Sequence, residues 1–254
     1  MKPYYQDEAV TLYHGDCLDV MQGIGRVDMV LADLPYGTTR NAWDSVVDLD
    51  AMWQQYLAAT KEDAAIVLTA QTPFDKVLGA SRLDLLRYEW IWEKTTATGH
   101  LNAKRMPMKA HENILVFYRS LPTYNPEMTT GHTAVHSYTK YQDDGSNYGA
   151  TKAGISGGGS TQRYPRSVLE FATDKQKTAL HPTQKPVALM EYLIRTYTNP
   201  GQTVLDNCAG SGTTLVAAAR SSRKAIGIEL DEAYCEVIAK RLQQGALDLF
   251  GGVA

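Results

Sequence analysis

Asp33-Leu34-Pro35-Tyr36-Gly37 ends the apolar run VDMVLAD by presenting a carboxylate, a rigid proline and an aromatic ring within four residues. Pro and Gly punctuate strand ends and Asp opens turns, so the group has an ordinary reading as turn chemistry. It also has a chemical reading. A fixed carboxylate and a neighbouring carbonyl accept hydrogen bonds, a ring beside them offers a stacking face, and proline holds the three in one geometry.

A second set follows the run TVLD. Asp206-Asn207-Cys208-Ala209-Gly210-Ser211-Gly212-Thr213-Thr214 reads as a strand-to-helix turn whose two glycines let a ligand approach the backbone. Glu229, 19 residues after Gly210 at the end of AIGIEL, is placed to accept hydrogen bonds from ribose hydroxyls. Glycine also serves tight helix packing, and the acidic partner at this interval favours a nucleotide-like ligand. The turn has neither the GxGxxG spacing of dinucleotide sites nor the GxxxxGK[ST] cradle of triphosphate sites, so an adenosine-type cofactor without phosphates fits better.

Positioning these residues needs a parallel sheet. Apolar runs alternate with helical patterns: VTLYHGD, VDMVLAD, the helical LDAMWQQYLAAT, AAIVLTA, and a helix after PFDKVLGAS. YEWIWEK and ENILVFYR lack a crossover helix and predict an antiparallel pair at one sheet edge. Residues 120–180 are rich in Gly, Ser, Thr and Tyr, and predict a loop-rich insert between a body formed by 1–119 and 181–254. Regularity returns with a helix in PVALMEYLIRTYT, the strand TVLDNC, the turn, the helix LVAAAR, the strand KAIGIEL and the helix DEAYCEVIAKRL.

With 254 residues, 44% of them hydrophobic, the chain can bury one large core, or one core and a satellite. It contains no run of about 18 apolar residues, and MKPYYQDEAVTLYHGD has no apolar signal region, which predicts a cytoplasmic protein without a membrane span. Cys17, Cys208 and Cys235 are few, odd in number and widely spaced, against a disulfide framework or structural zinc. His132 and His136 lack a carboxylate at matching spacing, so no metal is expected. The net charge of −3 hides an asymmetry: residues 94–185 hold 12 Lys+Arg against 6 Asp+Glu, the remainder 13 against 22. A basic segment in an acidic body suits a polyanionic partner.

Asp33-Leu34-Pro35-Tyr36, then HPTQKP at 181–186, then VLDNCAGSGTT and GIEL, resemble in type and order the beta-class DNA amino-methyltransferases, across nearly the whole chain. The resemblance implies an α/β, Rossmann-like sheet using S-adenosylmethionine, with circularly permuted motif order and an inserted target-recognition region. Leu34 replaces the family's usual first proline, and Asn207-Cys208 its Pro-Phe; the first change matters little if that position contributes its carbonyl. The implied cofactor contacts are Asp16 and Cys17 to adenine, Glu229 to ribose, Asp206, Asn207, Cys208, Ala209, Gly210, Ser211, Gly212 and Thr213 around the methionine part with Asp33 nearby, and Thr183 with Lys185 at its carboxylate.

The opening motif then gains a specific role. The amine of adenine or cytosine is a poor nucleophile because its lone pair is delocalised into the ring; Asp33 and the Leu34 carbonyl accept its hydrogens and favour a pyramidal nitrogen. Such a base must first leave the duplex, and Tyr36 is the expected stacking surface. Lys104, Arg105, Lys109, Arg119, Lys140, Lys152, Arg163 and Arg166 are candidates for contacts to double-stranded DNA. By the same resemblance, Asp at the first motif position implies N6 of adenine, with N4 of cytosine the alternative. Methylation of RNA or a protein glutamine, or a silent DNA-binding relative, fits the intact Asp33, Pro35 and Tyr36 less well. No cysteine follows a proline, against carbon-5 chemistry. The resemblance leaves open a homodimer and a cognate restriction endonuclease.

Overall fold

The computed structural model describes residues 1–37, 47–140, 155–173 and 184–250, without the side chains of Lys140, Ile155 and residues 245–250. In chain order the elements are β1 (Tyr5–Gln6), β2 (Val10–His14), α1 (Cys17–Met21), β3 (Val27–Asp33), α2 (Leu49–Ala59), β4 (Thr60–Ala70), α3 (Phe74–Ser81), β5 (Leu86–Thr98), β6 (Lys109–Phe117), β7 (Tyr138–Lys140), β8 (Ile155–Gly157), β9 (Val168–Phe171), α4 (Val187–Tyr197), β10 (Thr203–Asp206), α5 (Thr213–Arg220), β11 (Lys224–Glu229) and α6 (Glu232–Phe250).

β3 explains the layering. Six of its seven residues are buried, as expected of a parallel strand covered on both faces. Its side chains alternate between two cores. Met29 and Leu31 join Leu193 and Ile194 of α4, Leu215 of α5 and Ile238 of α6. Val30 and Ala32 join Val20 of α1, Met52, Trp53 and Tyr56 of α2, and Leu78 of α3. Among the described residues the result is a sheet with three helices on each face.

The sheet order is β1-β2-β11-β10-β3-β4-β6-β5-β9. β2, β11, β10, β3 and β4 are mutually parallel. β10 and β3 are neighbours although far apart in sequence, and the helices that follow them, α5 and α2, pack on opposite faces. A crevice at such a switch point opens at the carboxyl ends of the strands, where ligands bind. The antiparallel pairing of β5 with β6 matches the sequence, but the edge does not: β9 adds in parallel beyond β5. Its four residues have too little apolar periodicity to announce a core strand.

Met1–Asn125 and Ser167–Ala254 form one compact unit and Pro126–Arg166 another. The second is narrower than the 120–180 expected, because β9 pairs into the main sheet and Asn125 Nδ2 donates to the carbonyls of Arg195 (3.0 Å) and Thr198 (3.1 Å). Within Pro126–Arg166, β7 and β8 form an antiparallel ribbon and Thr129 bridges Arg163. Among the described residues no helix is long and apolar enough to cross a membrane.

Candidate active site

Proline has no N–H to extend a ladder, so β3 stops at Asp33 and turns through Leu34, Pro35 and Tyr36 to Gly37, whose φ is +65°. Pairing with β4 sets Asp33 beside Thr69. Thr69 Oγ1 (2.5 Å) and Tyr36 Oη (2.6 Å) both donate to Asp33 Oδ1, while Lys185 Nζ donates to Oδ2 at 2.6 Å. Oδ1 is thereby saturated and Oδ2 retains one lone pair. The Leu34 carbonyl has no hydrogen-bond partner among the described residues. Two adjacent acceptors are thus open at the strand end.

Lys185 begins a buried line of alternating charge. Its ammonium lies 3.2 Å from Glu112 Oε2, as an ion pair without hydrogen-bond geometry, and Lys94 Nζ donates to Glu112 Oε1 at 2.6 Å. Lys94, Glu112 and Lys185 are all buried. Burial alone lowers the Lys185 ammonium, yet Asp33, Tyr36 and Glu112 more than offset it and hold it well above its ordinary value. Burial likewise pushes Glu112 up, and Lys185 with Lys94 more than offset that, leaving it below the usual carboxylate range. Such a chain adds little net stability, because desolvation consumes most of the Coulomb gain. Its effect is to fix where Lys185, and through it Asp33, can point.

Tyr36 also departs from expectation. Its ring stacks on Phe74 of α3, with centroids 5.5 Å apart and planes at 29°, and the Lys185 ammonium lies 5.6 Å from the ring centroid. Burial and the Asp33 charge raise its phenol well above the ordinary value, so it remains a donor. Phe74 covers one ring face.

Across the switch point, the turn after β10 is strapped to β11: Ala209 N donates to the Ile228 carbonyl (2.9 Å) and Gly210 N to Glu229 Oε2 (2.7 Å). Glu229 Oε1 accepts from Asp231 N at 2.9 Å, and burial raises its carboxyl. Gly210 has φ +52° and nothing within 4 Å of an added Cβ, so its backbone faces open space; Gly212, at φ +78°, would place a Cβ 2.9 Å from Ile238. One glycine leaves room for a ligand and the other for α6. Burial pushes Asp206 up to about 7, countered in part by Thr214 and by the Cys208 N–H. Asn207 is anchored from α2 by Tyr56 Oη at 2.6 Å. The neighbouring Cys208 lowers the Cys17 thiol, while Cys17 and burial together raise the Cys208 thiol well above its ordinary value.

One cavity of about 580 Å³ joins both halves, lined by Asp33 to Tyr36, Lys94, Glu112, Lys185, Asp206 to Ser211, Thr213 and Glu229, together with Asp16 and Cys17. Asp16 caps α1 through Leu18 N (2.8 Å) while lining the same space. Gly212 stands behind the lining, and Thr183 lies outside the described residues. Lys185, expected at a cofactor carboxylate, instead bonds Asp33. Thr69, Phe74, Lys94, Glu112 and Tyr56 were not legible as site residues, since each reaches the site through sheet register or packing.

The basic candidates divide. Lys104, Arg105, Lys109 and Arg166 are exposed. Arg119 does not face a partner: its guanidinium donates to the carbonyls of Thr60 (3.0 Å) and Lys61 (2.9 Å) at the start of β4, the end opposite Asp33. Arg163 is likewise committed, to the carbonyls of Ser160 (2.9 Å), Gln162 (2.8 Å) and Thr133 (2.5 Å), stapling its own loops. The Lys140 side chain and Lys152 lie outside the described residues.

Comparison with known proteins gives this geometry a family. DNA adenine methyltransferase YhdJ of Escherichia coli K12 is 28% identical over 94% of this chain and 84% of its own length. Type II methyltransferase M2.LlaDCHI of Lactococcus lactis subsp. cremoris is 27% identical over 96% and 93%. Among solved structures, the M1.HpyAVI–SAM complex superposes with a TM-score of 0.65 (23% identity, 92% of this chain and 98% of that one). PvuII DNA methyltransferase, cytosine-N4-specific, superposes with 0.69 (17% identity, 94% and 88%). The N6/N4 family model, described as a DNA methylase, matches residues 27–241, and the chain belongs to this family of DNA methyltransferases.

Proposed function

We propose that this chain methylates the N6 amine of an adenine extruded from double-stranded DNA, with S-adenosylmethionine as methyl donor. The observation that carries the reading is the pair of open acceptors, Asp33 Oδ2 and the Leu34 carbonyl, on residues that line the same cavity as the Gly210 turn. An amine has two hydrogens; two acceptors at one strand end hold both and direct the lone pair away from them.

The cavity fits the cofactor. Gly210 leaves its backbone uncovered, Glu229 keeps acceptor capacity beyond its two backbone bonds, and Asp16, Cys17, Asp206 and Ser211 line the remaining wall. Bound there, S-adenosylmethionine supplies an electrophilic methyl group. The protein holds the amine, excludes water and gives the proton shed by nitrogen an acceptor in Asp33 Oδ2. Thr69, Tyr36 and Lys185 together keep the carboxylate oriented. Pro126–Arg166, with exposed Tyr138, Tyr164 and Arg166, is the proposed target-recognition unit.

N4 of cytosine presents the same two hydrogens; the PvuII likeness, at 17% identity, speaks to fold alone. Tritiated methyl transfer to duplex DNA, followed by nucleoside analysis, decides. Labelled N6-methyladenine that disappears in Asp33→Asn is expected. Labelled N4-methylcytosine overturns the choice of base, and absence of label in DNA of any sequence overturns the reading. The relatives named type II methyltransferases support a restriction–modification setting, which protection of methylated DNA from a co-expressed endonuclease would test.

A further inference from the structure

The turn between β5 and β6 has a composition that the fold does not require. Leu101 is 89% exposed, Met106 53% and Met108 41%, within eight residues that also carry Lys104 and Arg105, with His100 and Lys109 at the flanks. Single exposed apolar side chains are ordinary, but three on one projecting tip, interleaved with cations, mark a contact surface. Among the described residues neither Lys104 nor Arg105 has an ion-pair partner. The tip is ordered from within: Gly99 turns at φ +89°, a single 3-10 turn spans His100–Asn102, and Arg105 and Met106 N–H groups both bond the Asn102 carbonyl (2.8 and 3.0 Å).

Topology fixes where this tip points. β6 runs antiparallel to β4 and β5 antiparallel to β6, so the turn leaves the sheet at the carboxyl end of β4, the edge that carries Asp33 and Thr69. Ala70, the last residue of β4, is level with Asn113, and Lys109 lies four residues further out. At a strand rise of about 3.3 Å per residue, the tip stands roughly 13 Å beyond the sheet edge, more than the depth of a DNA groove of about 8.5 Å. Its base is also the rim of the site. Thr98 lines the catalytic cavity, and Lys109 Nζ donates to Gln71 of the same cavity at 3.2 Å. Leu101 follows Thr98 by three residues, so their Cα atoms are at most about 11 Å apart.

We propose that the Gly99–Met108 turn is a wedge that enters the base stack beside the target nucleotide, Leu101 filling the space the extruded base leaves while Lys104 and Arg105 hold flanking phosphates. The inference rests on the DNA-methylation reading above and adds residues that touch DNA without touching the reacting amine. Leucine and methionine are the kind of side chain that separates base steps, and a duplex resists losing a base unless something occupies the gap. A second copy of this chain could also cover an apolar tip, but two like-charged tips facing each other oppose that contact.

The test uses the full chain and a duplex bearing its methylation site, located by sequencing modified DNA. Leu101→Ala and Leu101→Ala/Met106→Ala alter exposed side chains and leave the fold intact. On matched duplex, kcat/KM is expected to fall by roughly ten- to a hundredfold, whereas with an abasic position opposite the target base the loss shrinks to less than about twofold, since extrusion is then largely complete. The fluorescence of 2-aminopurine at the target position rises with wild type and stays low with the variants. Lys104→Ala/Arg105→Ala lowers the slope of log binding constant against log salt by about 2. Equal losses on the two duplexes, no loss on either, an unchanged salt slope, or a change of oligomeric state by light scattering in Leu101→Ala overturns the proposal. A wild-type enzyme that methylates both duplexes keeps the functional reading intact in every one of these cases.

Discussion

Replacing Lys185 by methionine separates two accounts of the site, because the structure puts this ammonium on Asp33. Lys185 Nζ is 2.6 Å from Asp33 Oδ2 and 3.2 Å from Glu112 Oε2. The two carboxylates therefore lie within roughly 6 Å of one another, and at an effective dielectric of about 20 their repulsion is about 3 kcal/mol. Without the intervening cation that repulsion is no longer offset, and Glu112, which Lys185 holds below the usual carboxylate range, takes up a proton more readily. The acid limb of kcat/KM against pH, measured by tritiated methyl transfer between pH 5.5 and 9, is expected to move to higher pH, with activity recovering on the alkaline side. In Lys185→Met/Glu112→Gln the second carboxylate is gone and the limb returns. If Lys185 instead bound a cofactor carboxylate, its loss would raise the cofactor KM by ten- to a hundredfold at every pH, about 1.5–3 kcal/mol for a charge-assisted hydrogen bond, and leave the limb in place. That outcome refutes the reasoning from the charge chain.

Further expectations follow from individual contacts. Asp33→Asn, which removes the acceptor charge but keeps the shape, is expected to slow methyl transfer by about 10²–10³-fold while duplex binding in a gel-shift assay stays within about twofold. Asp206, pushed up to about 7 by burial, holds its proton more tightly folded than unfolded. Its contribution to stability is full below pH 3.8 and declines toward pH 7, by at most about 1.4 kcal/mol per pH unit; Asp206→Asn should flatten that decline in urea midpoints measured from below pH 3.8 to above pH 7. Gly212→Ala puts a Cβ 2.9 Å from Ile238 at φ +78°, and a loss of about 3 kcal/mol in equilibrium unfolding is expected. Tyr56→Phe leaves Asn207 Oδ1 buried without its 2.6 Å donor, a cost of about 1–3 kcal/mol by the same measurement, with weaker cofactor binding in calorimetry.

What the sequence made legible is what travels locally along the chain. VDMVLAD declares a strand covered on both faces, and the turn after TVLD declares itself through glycines and an acid 19 residues on. Thr69 and Glu112 could not be found in this way. Thr69 is one hydroxyl in an apolar run and reaches Asp33 only through β3–β4 register; Glu112 reaches Lys185 only because β6 lies beside β4. The count of positive charge failed in a different way. Arg119 and Arg163 counted toward a basic segment, yet a guanidinium with five donors is also the side chain best able to satisfy several carbonyls at once, and both are consumed so.

The charge chain and the switch point are parts of one solution. A lone carboxylate at the end of a buried strand would be desolvated and would tend to neutralise itself by taking up a proton, which would cost the acceptor proposed for methyl transfer. Lys94, Glu112, Lys185 and Asp33 together carry no net charge, so the sheet buries two ion pairs and no surplus. The dielectric cost is shared with buried neighbours, and of the four only the Asp33 carboxylate is more than slightly exposed, at 28% of its side chain. Because β10 lies next to β3, that one exposed charge opens onto the space walled by Gly210 and Glu229. Reversing the outer pair tests this coupling: Lys94→Glu with Glu112→Lys keeps two charges buried but sets an ammonium against Lys185. Methyl transfer should fall by at least about tenfold, and unaltered activity would show that Asp33 needs no such support.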